Sequence, residues 1–132
     1  MGAQAVMLIV WWLGACVLSA VLGYWLAEIS VRYLRKKAKL KHEKETLVFW
    51  LGATERAVAT TLVIFAPPYL PVFIGGWVAL KFAVGWQRYA GEAEAGGAMV
   101  ALIGNVISFA VAIAIGLTVN PSALDTWAKT SH

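Results

Sequence analysis

Residues 46–86 read TLVFWLGATERAVATTLVIFAPPYLPVFIGGWVALKFAVGW, two apolar runs joined by a segment with three prolines in five residues, 67–71. Proline removes a backbone donor and clashes inside a helix, at a cost of about 3 kcal/mol each. A turn between two helices explains this pattern with least strain. The sequence therefore predicts a helical hairpin, with one helix over 46–66 and the next over 71–86.

Two further apolar runs flank this hairpin, at residues 4–27 and 98–119. A helix needs about 20 apolar residues to cross the ~30 Å hydrocarbon core of a bilayer. Hydrophobic residues make up 61% of the chain and charged residues 14%, against about 25% in ordinary globular domains. We therefore predict an all-α transmembrane protein, a four-helix membrane bundle forming a single domain over 1–132.

One alternative has three spans. Residues 57–80 carry no charge and are long enough to cross a membrane alone if the prolines only kink the second helix. That arrangement places Lys81 and Arg88 outside, against the usual excess of basic residues in cytoplasmic loops.

A strongly basic segment follows the first helix, which we expect to extend cytoplasmically towards residue 40. The positive-inside rule predicts that residues 29–45 are cytoplasmic, which places both termini outside. Basic side chains near the surface also attract anionic lipid headgroups. No fold typical of nucleic-acid binding surrounds them, so no nucleic-acid partner is expected. The predicted headgroup contacts are Arg32, Arg35, Lys36, Lys37, Lys39 and Lys41.

Small residues recur at four-residue spacing in three of the predicted helices. Such rows let helix backbones approach closely in lipid, where helices associate by packing rather than by hydrophobic exclusion. They predict seams for partner helices, within this chain or in another copy. The rows are Ala15, Ser19, Gly23 and Ala27 in the first helix, Gly75, Ala79 and Ala83 in the third, and Gly104, Ser108, Ala112 and Gly116 in the fourth.

Polar residues in the apolar runs fall at one depth. Counting 1.5 Å per residue, Glu55 lies about 14 Å from the cytoplasmic surface and Lys81 about 15 Å from the opposite surface. In a ~30 Å core these two depths are the same level. We expect Glu55 to pair with Lys81, and Arg56 to meet Asn105, Ser108 or Thr60. Charges at this depth are costly and mark functional candidates. A structural clasp, a site for an anionic group, and a proton or ion relay through Glu55 all remain open.

Catalytic and metal chemistry find little support. Cys16 is the one cysteine, and the two histidines, His42 and His132, lie in a charged loop and at the last position. We predict no metal, no cofactor and no catalytic residues, and leave enzymatic activity uncertain. The leading hypothesis is a non-enzymatic membrane protein that binds copies of itself or other membrane subunits. The alternative is a small transporter, a channel-like element or an anionic-lipid-binding protein using Glu55, Arg56 and Lys81.

The order of these residues resembles a pattern in small bacterial multi-pass membrane proteins with no assigned activity. The motifs are Gly52-x-x-Glu55-Arg56, Ala79-Leu80-Lys81, a loop with Arg88, and Ile103-Gly104-Asn105-x-x-Ser108. The likeness covers roughly residues 50–118. It implies only that the Glu-Arg, Lys and Ile-Gly positions belong together. We separately expect the protein to reside in a bacterial inner membrane.

Overall fold

The computed structural model describes residues 2–39, 46–86 and 92–130. The described residues form helices joined by turns and contain no strand, which confirms the all-α prediction. The elements are α1 (Ala3–Lys37), α2 (Thr46–Phe65), a 3-10 turn (Pro67–Tyr69), α3 (Leu70–Trp86), α4 (Glu92–Val119) and α5 (Ala123–Thr130).

The chain reverses direction at the prolines. Ala66 leaves helical geometry, with φ −145° and ψ 58°, and accepts a hydrogen bond from the amide of Tyr69 at 3.1 Å. Glu55 and Lys81 form an ion pair, although a continuous helix would hold them about 39 Å apart. The alternative of one kinked helix over 57–80 is therefore wrong. Residues 46–86 form a hairpin.

Helices α1, α2 and α4 pack against one another and form the core of the fold, while α3 packs more lightly on α2. The buried positions of α1 are three of its small residues, Ala15, Ser19 and Gly23, and Ala27 is half-buried. The whole α4 row is buried as well: Gly104, Ser108, Ala112 and Gly116.

Two glycines of α4 allow close contact with neighbouring helices. A Cβ at Gly116 would lie 2.7 Å from Cβ and Cγ1 of Val63 on α2, and one at Gly104 would lie 2.9 Å from Cγ2 of Val31 on α1. Any larger residue would push the helices apart. The small-residue rows of α1 and α4 are thus used within the chain.

The corresponding row of α3 is exposed. Gly75, Ala79 and Ala83 face away from the rest of the chain, and a Cβ at Gly75 would meet nothing within 4 Å. The opposite face of α3 carries Phe73 and Trp77, which pack towards the core.

Two helical segments are long and apolar enough to cross a membrane, Ala3–Lys37 and Gly96–Val119. Most large apolar side chains of α1 are exposed outside its small-residue seam, among them Val10, Val17 and Leu26. In a membrane, lipid would cover this apolar surface, so these side chains would need no protein core to bury them.

Helix α1 continues well past residue 27 and ends at Lys37, and Lys39 has a positive φ of 56°. Two other parts of the chain differ from expectation. Helix α4 begins at Glu92 rather than at residue 98, so part of the predicted loop is helical. The residues after Asn120, where no helix was predicted, form α5.

Candidate functional site

The polar cluster consists of Glu55, Arg56, Lys81, Asn105 and Ser108. Its first half joins three helices through Lys81. Lys81 Nζ on α3 lies 2.5 Å from Glu55 Oε1 on α2, and donates a hydrogen bond to Asn105 Oδ1 on α4 at 2.8 Å. The contact with Glu55 is an ion pair. The side chain of Glu55 is 2% exposed and that of Lys81 27%. Lys81 therefore reaches inward from the edge of the bundle to a buried carboxylate.

The second half is built on Arg56, which is 4% exposed. Its Nη1 donates to Ser108 Oγ on α4 at 2.9 Å. Its Nε and Nη2 have no hydrogen-bond partner within the described residues. A guanidinium carries five N–H donors, so this one is only partly satisfied.

Two glycines make room for the arginine side chain. A Cβ at Gly23 on α1 would overlap Cδ of Arg56, and one at Gly52 would lie 3.2 Å from Nη1. Gly52 is one turn before Arg56 on α2, so the side chain bends towards the start of its own helix, the direction that helical side chains favour. The small-residue seam of α1 thus also accommodates the arginine.

Glu55 and Arg56 serve different neighbours because consecutive helical residues point about 100° apart. Glu55 turns to α3, and Arg56 lies between α1 and α4. Asn105 is taken by Lys81, and Thr60 instead donates to the backbone oxygen of Ala112 at 3.4 Å. Of the three partners considered for Arg56, the structure brings it to Ser108.

The cluster has one carboxylate for two cations. Low polarity strengthens the attraction of such pairs but makes any unpaired charge costly. Glu55 balances Lys81 directly, and Arg56 keeps an excess positive charge beside Ser108. Chemically, the arrangement can fix helix register, and its arginine can bind an anionic group.

The basic residues predicted to contact headgroups lie at the C-terminal end of α1. Arg32 pairs with Glu28 at 2.8 Å within the helix, and Arg35 is half-buried. Lys36, Lys37 and Lys39 are exposed, as headgroup contacts require. Lys41 and the loop with Arg88 lie outside the described residues.

Several contacts were not expected from the sequence. Trp12 Nε1 donates to Thr61 Oγ1 at 2.9 Å and ties α1 to α2. Asn120 Nδ2 donates to the carbonyls of Val63 at 3.2 Å and Ile64 at 2.9 Å, at the end of α2. Trp127 Nε1 donates to the carbonyl of Pro67 at 2.7 Å. The helix-start signal Pro121-Ser122 before Ala123 could have indicated α5.

Comparison with protein-family models, with curated proteins and with solved structures finds no match for this chain. Among the described residues, no three His, Cys, Asp or Glu side chains gather as a metal site would require.

Proposed function

We propose that this chain is a four-span membrane protein in which α1 to α4 each cross the bilayer. Helices α2 and α3 are about 30 and 25 Å long, close to the thickness of the hydrocarbon core. Their charged residues are directed towards one another or towards α4, as membrane-buried charges require. The hairpin turn then lies at the surface opposite the basic end of α1.

The proposed orientation follows from the basic end of α1. Residues 29–45 lie in the cytoplasm and both termini lie outside, in agreement with the positive-inside rule. We also propose a bacterial inner membrane as the location of the protein. Exposed Lys36, Lys37 and Lys39 are available to anionic headgroups.

Within that membrane, the protein acts as a non-enzymatic subunit that associates with other copies of itself through the outer face of α3. The exposed row Gly75, Ala79 and Ala83 carries this proposal. The matching rows of α1 and α4 are both buried against helices of the same chain, so the α3 row alone among the three lacks a partner in the described structure.

The composition of the α3 face supports the same conclusion. Gly75 and Gly76 are consecutive, exposed and helical, and added Cβ atoms would meet nothing within 4 Å. Each glycine weakens a helix interior by about 0.8–1 kcal/mol relative to alanine. The isolated chain gains no packing in return, whereas a second helix approaching this flat face would make backbone contact.

Substitution of the seam tests the association. Gly75→Ile should reduce cross-linked dimer or higher oligomer in native membranes, because the branched side chain holds a partner helix away. Gly14→Ile is the matched control: Gly14 is also exposed, also meets nothing within 4 Å, and lies outside the seam of α1.

The outcome separates self-association from a different partner. Wild-type protein that is strictly monomeric and cross-links to nothing in native membranes would refute the proposal. Cross-linking only to other proteins, lost in Gly75→Ile, would replace self-association by membership of a larger complex.

The polar cluster holds the helices in register in this proposal, and one observation favours a second role. Arg56 Nε and Nη2 are buried donors without partners among the described residues, and an anion such as a lipid phosphate would satisfy them. In that case purified protein should retain a phospholipid or small anion that Arg56→Gln loses. Liposome flux of an ion that Glu55→Gln abolishes would instead indicate a transporter.

A further inference from the structure

Helix α5 is fixed to the hairpin turn by specific contacts. Ala123 is fully buried, and Trp127, one turn later, donates its indole N–H to the carbonyl of Pro67. Just before the helix, Asn120 donates to two carbonyls at the end of α2, and Ser122 Oγ donates to Asn120 Oδ1 at 2.6 Å. These contacts set the position of α5 against the turn at residues 67–69.

The remaining faces of α5 differ in polarity. At about 100° per residue, Leu124 and Ala128 lie on one side of the attached face. Asp125 and Lys129 lie further round, away from the attached face. All four are exposed, Leu124 by 55%. The helix therefore presents an apolar side and a charged side, apart from the face that contacts the protein.

The level of α5 follows from what it touches. Pro67 and the last carbonyls of α2 mark the point where two apolar helices end and the chain turns. Tyr69 is exposed at the same end of the hairpin. Tyrosine favours the boundary between acyl chains and headgroups, because its ring is apolar and its hydroxyl is polar. In the proposed membrane placement, this boundary is the one opposite the basic end of α1.

We infer that α5 is an interfacial helix whose partner is the lipid surface on the outer side of the membrane. It lies along the headgroup layer with Leu124 and Ala128 towards the acyl chains and with Asp125 and Lys129 in water. Its two charges cancel, so apolar burial rather than attraction to anionic lipid holds it there. The Trp127 indole fastens the helix to the turn instead of contacting headgroups.

This inference rests on the proposed membrane placement, so its test includes a reference position. Single cysteines replace Leu124, Asp125 or, on the exposed side of α1, Val17, in the full chain carrying Cys16→Ala. Each is spin-labelled and reconstituted in vesicles of phosphatidylethanolamine and phosphatidylglycerol. All three sites are exposed, so the labels disturb little packing. Collision with oxygen reports acyl chains, and collision with a water-soluble nickel chelate reports water.

The expected result is a ratio of oxygen to nickel accessibility several-fold higher at position 124 than at 125, and highest at 17. If positions 124 and 125 are both open to nickel while 17 is not, α5 stands in water and the inference fails, although the membrane placement stands. If position 17 is itself open to nickel, the membrane placement fails and the inference fails with it.

Discussion

At the scale of single residues, Arg56 and Glu55 show how adjacent charges can serve separate contacts. Glu55 is almost fully buried and pairs with Lys81. Arg56 occupies the space left by Gly23 and donates a hydrogen bond to Ser108. Neither charge could turn to the other's partner without leaving its helix face. The two adjacent charges, Glu55 and Arg56, therefore specify which helix lies on each side of α2.

The Glu55–Lys81 pair predicts unequal costs for its two members. Lys81→Met leaves a carboxylate that is 2% exposed without its cation, whereas Glu55→Gln leaves an amine that is 27% exposed and still bonded to Asn105. Lys81→Met should therefore destabilise the protein more, towards the ~3–5 kcal/mol typical of broken buried pairs. Thermal unfolding in detergent would measure both.

The double variant and a surface pair complete this experiment. Replacing both residues by apolar ones should recover much of the loss, because no charge remains buried alone. Arg32→Gln, which breaks the exposed pair with Glu28, should change stability by no more than about 1 kcal/mol. Fully additive single effects would show that Glu55 and Lys81 do not interact.

Gly116 gives a second prediction at this scale. In Gly116→Ala the new methyl group would lie 2.7 Å from Cβ of Val63, an atom next to the backbone that cannot move aside. We expect a loss of about 1–3 kcal/mol from overpacking. Gly14→Ala, in open space, should be neutral or stabilising by up to about 1 kcal/mol. Equal behaviour of the two variants in an unfolding assay would contradict the α2–α4 contact.

The sequence predicts the members of the polar cluster better than their geometry. Depth along each helix follows from counting residues, so the count alone places Glu55, Lys81, Asn105 and Ser108 near one level. The two nitrogens of Arg56 without a partner among the described residues do not follow from any such count. They depend on the rotation of three helices, which small residues permit but do not fix.

At the scale of elements, the three small-residue rows look alike in sequence and differ in the structure. Spacing shows that a helix can be approached closely, but not by which neighbour. Helix α1 receives α2 and α4 because its row faces the inside of the bundle, while the row of α3 lies opposite its attached face. The buried side of α3 is instead set by Phe73 and Trp77, which pack towards the core.

The start of α5 has a local signal, but the stability of α5 is hard to predict because the helix is only eight residues long. Helices this short are unstable alone, so tertiary contacts must hold them. Those contacts are side-chain bonds to backbone carbonyls that lie far away in sequence, Trp127 to Pro67 and Asn120 to Val63 and Ile64. No local sequence pattern predicts these hydrogen bonds.

The prediction for α5 concerns Asn120. Asn120→Ala removes two hydrogen bonds from the carbonyls that end α2, each worth about 0.5–1.5 kcal/mol. Hydrogen exchange should rise at the end of α2 and throughout α5. Thr126→Ala is the control, because its hydroxyl bonds only to the Ser122 carbonyl just before its own helix. Unchanged exchange in Asn120→Ala would show that α5 is held by other means.

At the scale of the whole molecule, the four-span proposal makes a definite statement about sidedness. A cysteine at exposed Tyr69 should react with a membrane-impermeant reagent from outside, and one at exposed Gly96 from the cytoplasm. Both variants require the Cys16→Ala background. Labelling of position 96 from outside would contradict the four-span arrangement, whatever the result at position 69. Cysteines at 90–95 give the same test.

The packing of the first helix against the last also has a consequence for how the protein is made. Helix α1 shares its most extensive contact with α4, and α4 supplies both Ser108 and Asn105. In the proposed membrane placement α4 is the last span to be synthesised, so Arg56 gains its hydrogen bond to Ser108 only when α4 packs against α1 and α2. A chain that ends before residue 92 lacks that partner, and we expect it to be less stable in the membrane for this reason.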